Sequence, residues 1–156
     1  ISFPEEYRLF LMLIVNGSTE MFRLGEMDNG FGYSFWHEND GFVGKLSRPF
    51  PYTDAWNDLA GYQEYDPEKD QGQHWLPQYD EQQARFFECY QAEINGAIPI
   101  AHEGCAIRLW LIVAGAETGN IWYDDRANLN GLKPLQNSDG SRTRFLDWCK
   151  GWPNGI

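Results

Sequence analysis

Basic side chains are scarce in this chain. Its 156 residues include 12 lysines and arginines against 23 aspartates and glutamates, and the formal net charge is −11. Direct binding to nucleic acid relies on Lys and Arg to neutralise phosphates, so this balance argues against it. An acidic surface keeps a protein soluble and also suits a basic protein partner. Because acidic compositions are common, the charge alone favours the first explanation.

Histidine and cysteine are also few, with 3 of each. So little histidine leaves little material for general acid–base catalysis. The cysteines are odd in number and lack the spacing of metal ligands, which favours reduced thiols in a cytoplasmic protein; they are Cys89, Cys105 and Cys149. The chain also lacks a G-x-S-x-G elbow, a P-loop, G-x-G-x-x-G after a strand and H-E-x-x-H. Composition and motifs therefore do not indicate an enzyme.

Long apolar runs are missing as well. No run is long enough to cross a membrane, and no signal-peptide pattern is present. The first residue is Ile1 rather than Met, so a preceding native segment, and with it targeting, stays an open question. Aromatic residues, in contrast, make up 16% of the chain within a hydrophobic fraction of 42%. That composition argues against disorder, and the length predicts one domain spanning residues 1–156.

One apolar stretch organises the rest of the chain. Ala106–Val113 is rich in branched and aromatic side chains, and only Arg108 interrupts it. This pattern predicts a central strand that is buried on both faces. A short connection bracketed by Gly115 and Gly119 leads to a second extended run, Asn120–Tyr123. The two runs predict a β-hairpin.

Three segments carry the apolar periodicity and the end signals of helices. In the first, Tyr7, Phe10, Leu11 and Ile14 fall on one helix face, and Asn16-Gly17 provides a stop. The predicted helices cover Pro4–Val15, Glu81–Ile94 and Arg144–Lys150.

Shorter elements complete the prediction. Thr53–Leu59 predicts one helical turn capped by Thr53, and Gly131–Leu135 predicts a short edge strand. Residues 21–24 and 41–46 are further candidate strands, and the polar segment 62–78 predicts a long surface loop. This order of elements predicts an α+β fold, with a mainly antiparallel β-sheet and helices packed against it.

A metal or hydrolytic site is conceivable at one end of the hairpin. His102 and Glu103 precede the central strand, while Asp124 and Asp125 follow its partner, so all four should lie near the same end of the sheet. Zinc needs about three protein ligands, which His102, Cys105 and Asp124 could nominally supply. Their spacing matches no ligand motif, however, and Cys105 is expected to face the core. We therefore predict no catalytic residue, no metal and no cofactor.

Aromatic residues next to carboxylates suggest a protein-binding surface instead. Such pairs can anchor a protein partner, although each aromatic residue could equally fill the core. Trp122 and Tyr123 are adjacent and should point to opposite faces of the sheet. The candidate partner-binding residues are Trp56, Asn57, Asp58, Trp122, Asp124 and Asp125.

The same segments carry a family resemblance. Ile98-Pro-Ile-Ala, Gly104-Cys105, the apolar strand, Gly115-x-x-x-Gly119 and Ile121-Trp-Tyr-Asp-Asp-Arg126 resemble the core signature of the SMI1/KNR4 (SUKH) superfamily. The opening helix from Pro4 to Gly17, the segment from Phe42 to Asp58 and the closing Phe145-Leu-Asp-Trp148 are similar to the family's other shared blocks. Arg144 departs from the pattern, which has a small residue there, and the loop 62–78 is not shared.

This resemblance implies a function, which remains an expectation. Bacterial members are held to be immunity proteins that neutralise toxins, often nucleases, and fungal relatives act in cell-wall regulation. We therefore expect a cytoplasmic, non-enzymatic protein that binds a basic toxin domain, without binding nucleic acid or a membrane. A scaffold or regulatory protein on the same fold is the alternative, and an enzyme at the His102 and Asp124 end is a third. The family offers no catalytic residues to carry over.

Overall fold

The structure is a computed structural model that describes residues 3–13, 44–58, 89, 92–104 and 107–151. A helix, α1, opens this part of the chain, and a second helix, α2, ends it. Between them lie four strands, a short 3-10 helix and two further helical residues, Cys89 and Ala92. The bounds are α1 Glu5–Leu13, β1 Ala97–Gly104, β2 Ile107–Ile112, β3 Ile121–Asp124, the 3-10 helix Arg126–Asn128, β4 Leu132–Pro134 and α2 Phe145–Lys150.

The four strands form one antiparallel sheet in the order β1-β2-β3-β4. Strand β2 is central, and it pairs with β3 so that Leu109 faces Tyr123 and Trp110 faces Trp122. The last four residues of β2 are all buried. The predicted central strand and its hairpin with β3 are therefore confirmed, as is an α+β arrangement at the level of sheet and helices.

Strand β1 was not predicted. It contains Pro99, which has no N–H to donate to a neighbouring strand. The strand accommodates this proline by a register shift between Pro99 and Ala101, and β2 is its one neighbour in the described sheet. Proline is tolerated at such positions.

The core has two parts, one on each face of the sheet. On the first face, Phe145 of α2 contacts Tyr7 and Phe10 of α1, with ring centroids 5.1 and 5.2 Å apart. On the second face, the ring of Phe50 packs edge-on against Trp122 at 4.7 Å. Alternation along the strands produces this division, because successive side chains point to opposite faces. The second-face core comprises Phe50, Ile94, Ala97, Trp110, Ile112, Trp122 and Leu132, with Tyr52 and Trp56 packed against it.

The predicted helices agree with the structure where it describes them. Helix α1 lies within Pro4–Val15, and α2 lies within Arg144–Lys150. Most of Glu81–Ile94 falls outside the described residues, although Cys89 and Ala92 are helical. The candidate strand at 21–24 and the predicted loop at 62–78 lie entirely outside them.

One short prediction was wrong, and the described half of another is not a strand. Residues 53–58 form no helical turn, because Trp56 pairs in extended conformation with Leu132 of β4. The described part of the candidate strand at 41–46 is irregular chain and turn. In contrast, the predicted strand at Gly131–Leu135 is confirmed as β4. Among the described helices, none is long and apolar enough to cross a membrane.

Candidate functional site

The two aromatic and acidic clusters found in the sequence lie side by side. The backbone of Trp56 exchanges two hydrogen bonds with Leu132, at N···O distances of 2.8 and 2.7 Å. The next residue, Asn57, donates its side-chain amide to the carbonyl oxygen of Leu129 at 3.1 Å. These contacts join the segment 56–58 to residues 125–131, which we call the 125–131 loop. The closeness of the two clusters could not be inferred from sequence spacing.

Gly131 makes this approach possible. Its φ of +74° is unfavourable for other residues. A Cβ at this position would overlap the carbonyl oxygen of Trp56 and lie 2.8 Å from the Cβ of Asn57. Only glycine therefore fits between the loop and the segment 56–58.

Asp125 stabilises the loop from within. Its carboxylate accepts hydrogen bonds from the side-chain amides of Asn128 at 2.6 Å and Asn130 at 2.8 Å. Its own N–H donates to the carbonyl oxygen of Gly131 at 2.9 Å. Asp125 is half-buried, so its charge lies at the surface while its oxygens organise the loop. Of the two carboxylates predicted after β3, this one can act on a partner.

Asp124, which was predicted to bind a partner at the surface, is buried instead. It is 1% exposed, and it forms a buried ion pair with Arg126 through Nη2 and Oδ2 at 2.7 Å. It also accepts a hydrogen bond from the indole N–H of Trp110 at 2.9 Å. Arg126 in turn reaches Glu93 at 3.0 Å. A buried charge needs such partners, so Asp124 is structural.

Trp122 requires the same correction. Its side chain is 0% exposed and lies in the second-face core. Its indole N–H donates to the carboxylate of Glu117 at 3.2 Å, so the polar edge of the ring is also satisfied within the chain. Its neighbour Tyr123 lies on the opposite face and is half-buried, as the alternation predicted.

An aromatic pair borders the loop. The rings of Tyr52 and Trp56 stack with centroids 5.1 Å apart and planes 22° apart, and both residues are half-buried. Burial raises the pKa of Tyr52 to about 12, and the charges of Glu93 and Asp58 add to the shift while Arg126 opposes it. The hydroxyl of Tyr52 is therefore neutral at physiological pH. Asp58 is exposed, and it follows Trp56 by two residues in the same segment.

Leu129 is the residue of this surface that sequence reasoning missed. It is 62% exposed, and it adopts the left-handed conformation with φ 62° and ψ 23°. A leucine enclosed by Asn128 and Asn130 in a polar loop was the available signal. Together with the stacked pair and the carboxylates of Asp58 and Asp125, it forms what we call the anchor surface.

A metal or hydrolytic site was considered at one end of the hairpin, and the backbone positions of its residues lie near that end of the sheet, as expected. Register pairs His102 with Arg108 and Arg108 with Asp124, so these residues form one row across three strands. Glu103 is exposed, and its charge and that of Asp125 add to the effect of burial in raising the pKa of Tyr123. The part of the chain that the structure describes contains no group of three His, Cys, Asp or Glu side chains placed to hold a metal. Cys105 and the side chain of His102 lie outside it.

The anchor surface combines three kinds of feature. It offers apolar and aromatic area beside negative charge, on a loop fixed by hydrogen bonds. Comparison of the chain with family models, with curated proteins and with solved structures gave no match in any of the three.

Proposed function

We propose that the protein is a cytoplasmic, non-enzymatic immunity protein of the SMI1/KNR4 type, which binds and neutralises a basic toxin domain such as a nuclease. It would do so by covering the toxin without chemical reaction. The family resemblance of its sequence suggests this role, and the net charge of −11 suits a basic target.

One structural observation carries the proposal. The hydrogen bond from Asn57 to Leu129 and the pairing of Trp56 with Leu132 hold the segment 56–58 against the loop that carries Asp125 and Leu129. Protein interfaces are enriched in aromatic anchors surrounded by polar groups, and the anchor surface has this composition. Opposite charges would raise the association rate, and the apolar contacts would slow dissociation.

Co-expression with the toxin domain encoded beside its gene tests the role. The protein should restore growth to cells that make the toxin, and it should co-purify with an inactivated form of that domain. Toxicity that persists at full expression of the folded protein, together with no co-purification, would reject the immunity role.

The surface is tested separately by Asp58→Lys. Asp58 is exposed, whereas Asp125 is half-buried and its carboxylate accepts a hydrogen bond from Asn128. Association with the inactivated toxin should be slower, and the difference from the parent should shrink as salt rises, since exposed charges are screened over about 8 Å at physiological ionic strength. Glu5→Lys is the matched control, because Glu5 is exposed on α1, which packs on the other face of the sheet. Equal effects of the two variants would point to net charge rather than to this surface.

A further inference from the structure

The conformation of Leu129 is unfavourable for its residue type. Its φ of 62° lies in the left-handed region, where the Cβ of an L-residue crowds the backbone. It is the only non-glycine residue with positive φ in the described part of the chain. Glycine and asparagine adopt this region most readily, and asparagine stands on both sides of Leu129. Glycine or asparagine at position 129 would therefore allow the same loop conformation with less backbone strain.

Packing does not account for the leucine either. Its side chain belongs to neither part of the core, and it is the most exposed of the large apolar residues in the described ranges. An exposed leucine contributes little to folding, since hydrophobic stabilisation follows the area removed from water. The residue type is therefore not explained by the stability of this chain alone.

The backbone beneath the side chain is held from several directions. The N–H of Leu129 donates to the carbonyl of Arg126 at 3.0 Å, and its own carbonyl accepts from Asn57. Arg126 is buried in its ion pairs, and Asp125 binds the two asparagines. Because the backbone at Leu129 is already fixed, binding through this residue would order little further backbone, which favours affinity.

We propose that Leu129 is the central apolar anchor of the partner interface, and that it inserts into an apolar pocket bordered by Lys or Arg on a basic protein. This inference rests on the proposed function and deepens it. Asp58 and the half-buried Asp125 supply the complementary charge beside the anchor. A second copy of the chain is the less suitable occupant, because each copy carries a net charge of −11 and the two would repel.

The experiment measures the affinity of Leu129→Asn for the inactivated toxin domain by calorimetry. Asparagine suits the left-handed conformation, so the melting temperature should be equal to the parent's or higher. The dissociation constant should rise about tenfold or more, as expected when a central anchor is truncated. Leu129→Gly, which also suits this conformation, is a second variant in case the first perturbs the loop.

Leu146→Gln is the matched control. Leu146 is another exposed leucine, 41% accessible on α2, and glutamine keeps its helix propensity. The control should bind within about twofold of the parent. If the parent binds the toxin and Leu129→Asn binds equally well, the anchor is wrong and the immunity role stands. If the folded parent does not bind the toxin, both proposals fall. If sedimentation shows a dimer that Leu129→Asn dissociates, the surface is a self-interface and the basic partner is overturned.

Discussion

The guanidinium of Arg126 binds the carboxylate of Asp124 through two parallel hydrogen bonds, Nε to Oδ1 at 2.8 Å and Nη2 to Oδ2 at 2.7 Å. Both side chains are almost completely buried, at 0% and 1% exposure. Two-point pairing of this kind fixes geometry as well as charge. Because Arg126 also binds Glu93, the network joins β3 and the first residue of the 3-10 helix to the turn that precedes β1.

Arg126→Met should strongly destabilise the protein. Methionine fills similar volume but leaves the carboxylate of Asp124 buried without its cation, and breaking a buried pair in this way costs about 3–5 kcal/mol. Urea unfolding followed by tryptophan fluorescence measures the loss. The double variant Asp124→Leu with Arg126→Met should recover part of it, because it removes both charges. A single variant as stable as the parent would show that the pair is not needed for the fold.

Gly131→Ala should cost more stability than Gly140→Ala. Both glycines have positive φ, at +74° and +83°, so both variants place alanine in the left-handed region at a cost of about 1–2 kcal/mol. Only at Gly131 would the added Cβ overlap neighbouring atoms, since nothing lies within 4 Å of a Cβ at Gly140. Overpacking adds about 1–3 kcal/mol. Urea unfolding of the two variants should reveal this difference. Equal losses in the free energy of unfolding would mean that the segment 56–58 can move away from the added Cβ without loss of stability.

Stability should fall as the pH rises from about 10 to about 12. Burial raises the pKa of Tyr7 and of Tyr52 from 10.0 to about 12, so the unfolded chain releases these protons at a lower pH than the folded one. The contribution of these residues is thus fully present below pH 10 and is lost as the pH passes through the folded pKa. Unfolding midpoints measured across this range should fall less steeply for Tyr52→Phe than for the parent. Identical slopes would contradict the raised pKa of Tyr52.

Sequence patterns correctly predicted those strands and helices that interactions between neighbouring residues determine. The apolar run of β2, the glycines before β3 and the spacing of Tyr7 and Phe10 in α1 all act over a few residues. Strand β1 was missed because Pro99 disfavours a strand in general, and only its position beside β2 makes it acceptable. Trp56 was placed in a helical turn because its pairing with Leu132, a distant residue, overrides the local signal.

The site was predictable only in part, for the same reason. Asn57, Asp58 and Asp125 were identified from residue type. Asp58 and Asp125 belong to the anchor surface, and Asn57 donates a hydrogen bond to the backbone of Leu129. Asp124 looked equivalent to Asp125 in sequence, but the network that buries it includes Glu93, 33 positions from Arg126. Alternation shows that Trp122 and Tyr123 face opposite sides, but it does not show which side is covered.

The pairing of Trp56 with Leu132 also limits the addition of a further strand to this sheet at β4. An edge strand offers free N–H and C=O groups to any passing chain, which invites aggregation. At Leu132 both groups already bond to Trp56, and the next residue, Lys133, is an exposed cation of the kind that discourages strand addition. Strand-to-strand association is therefore blocked at this position of β4. A partner that approaches here has to be recognised through side chains rather than through shared backbone hydrogen bonds.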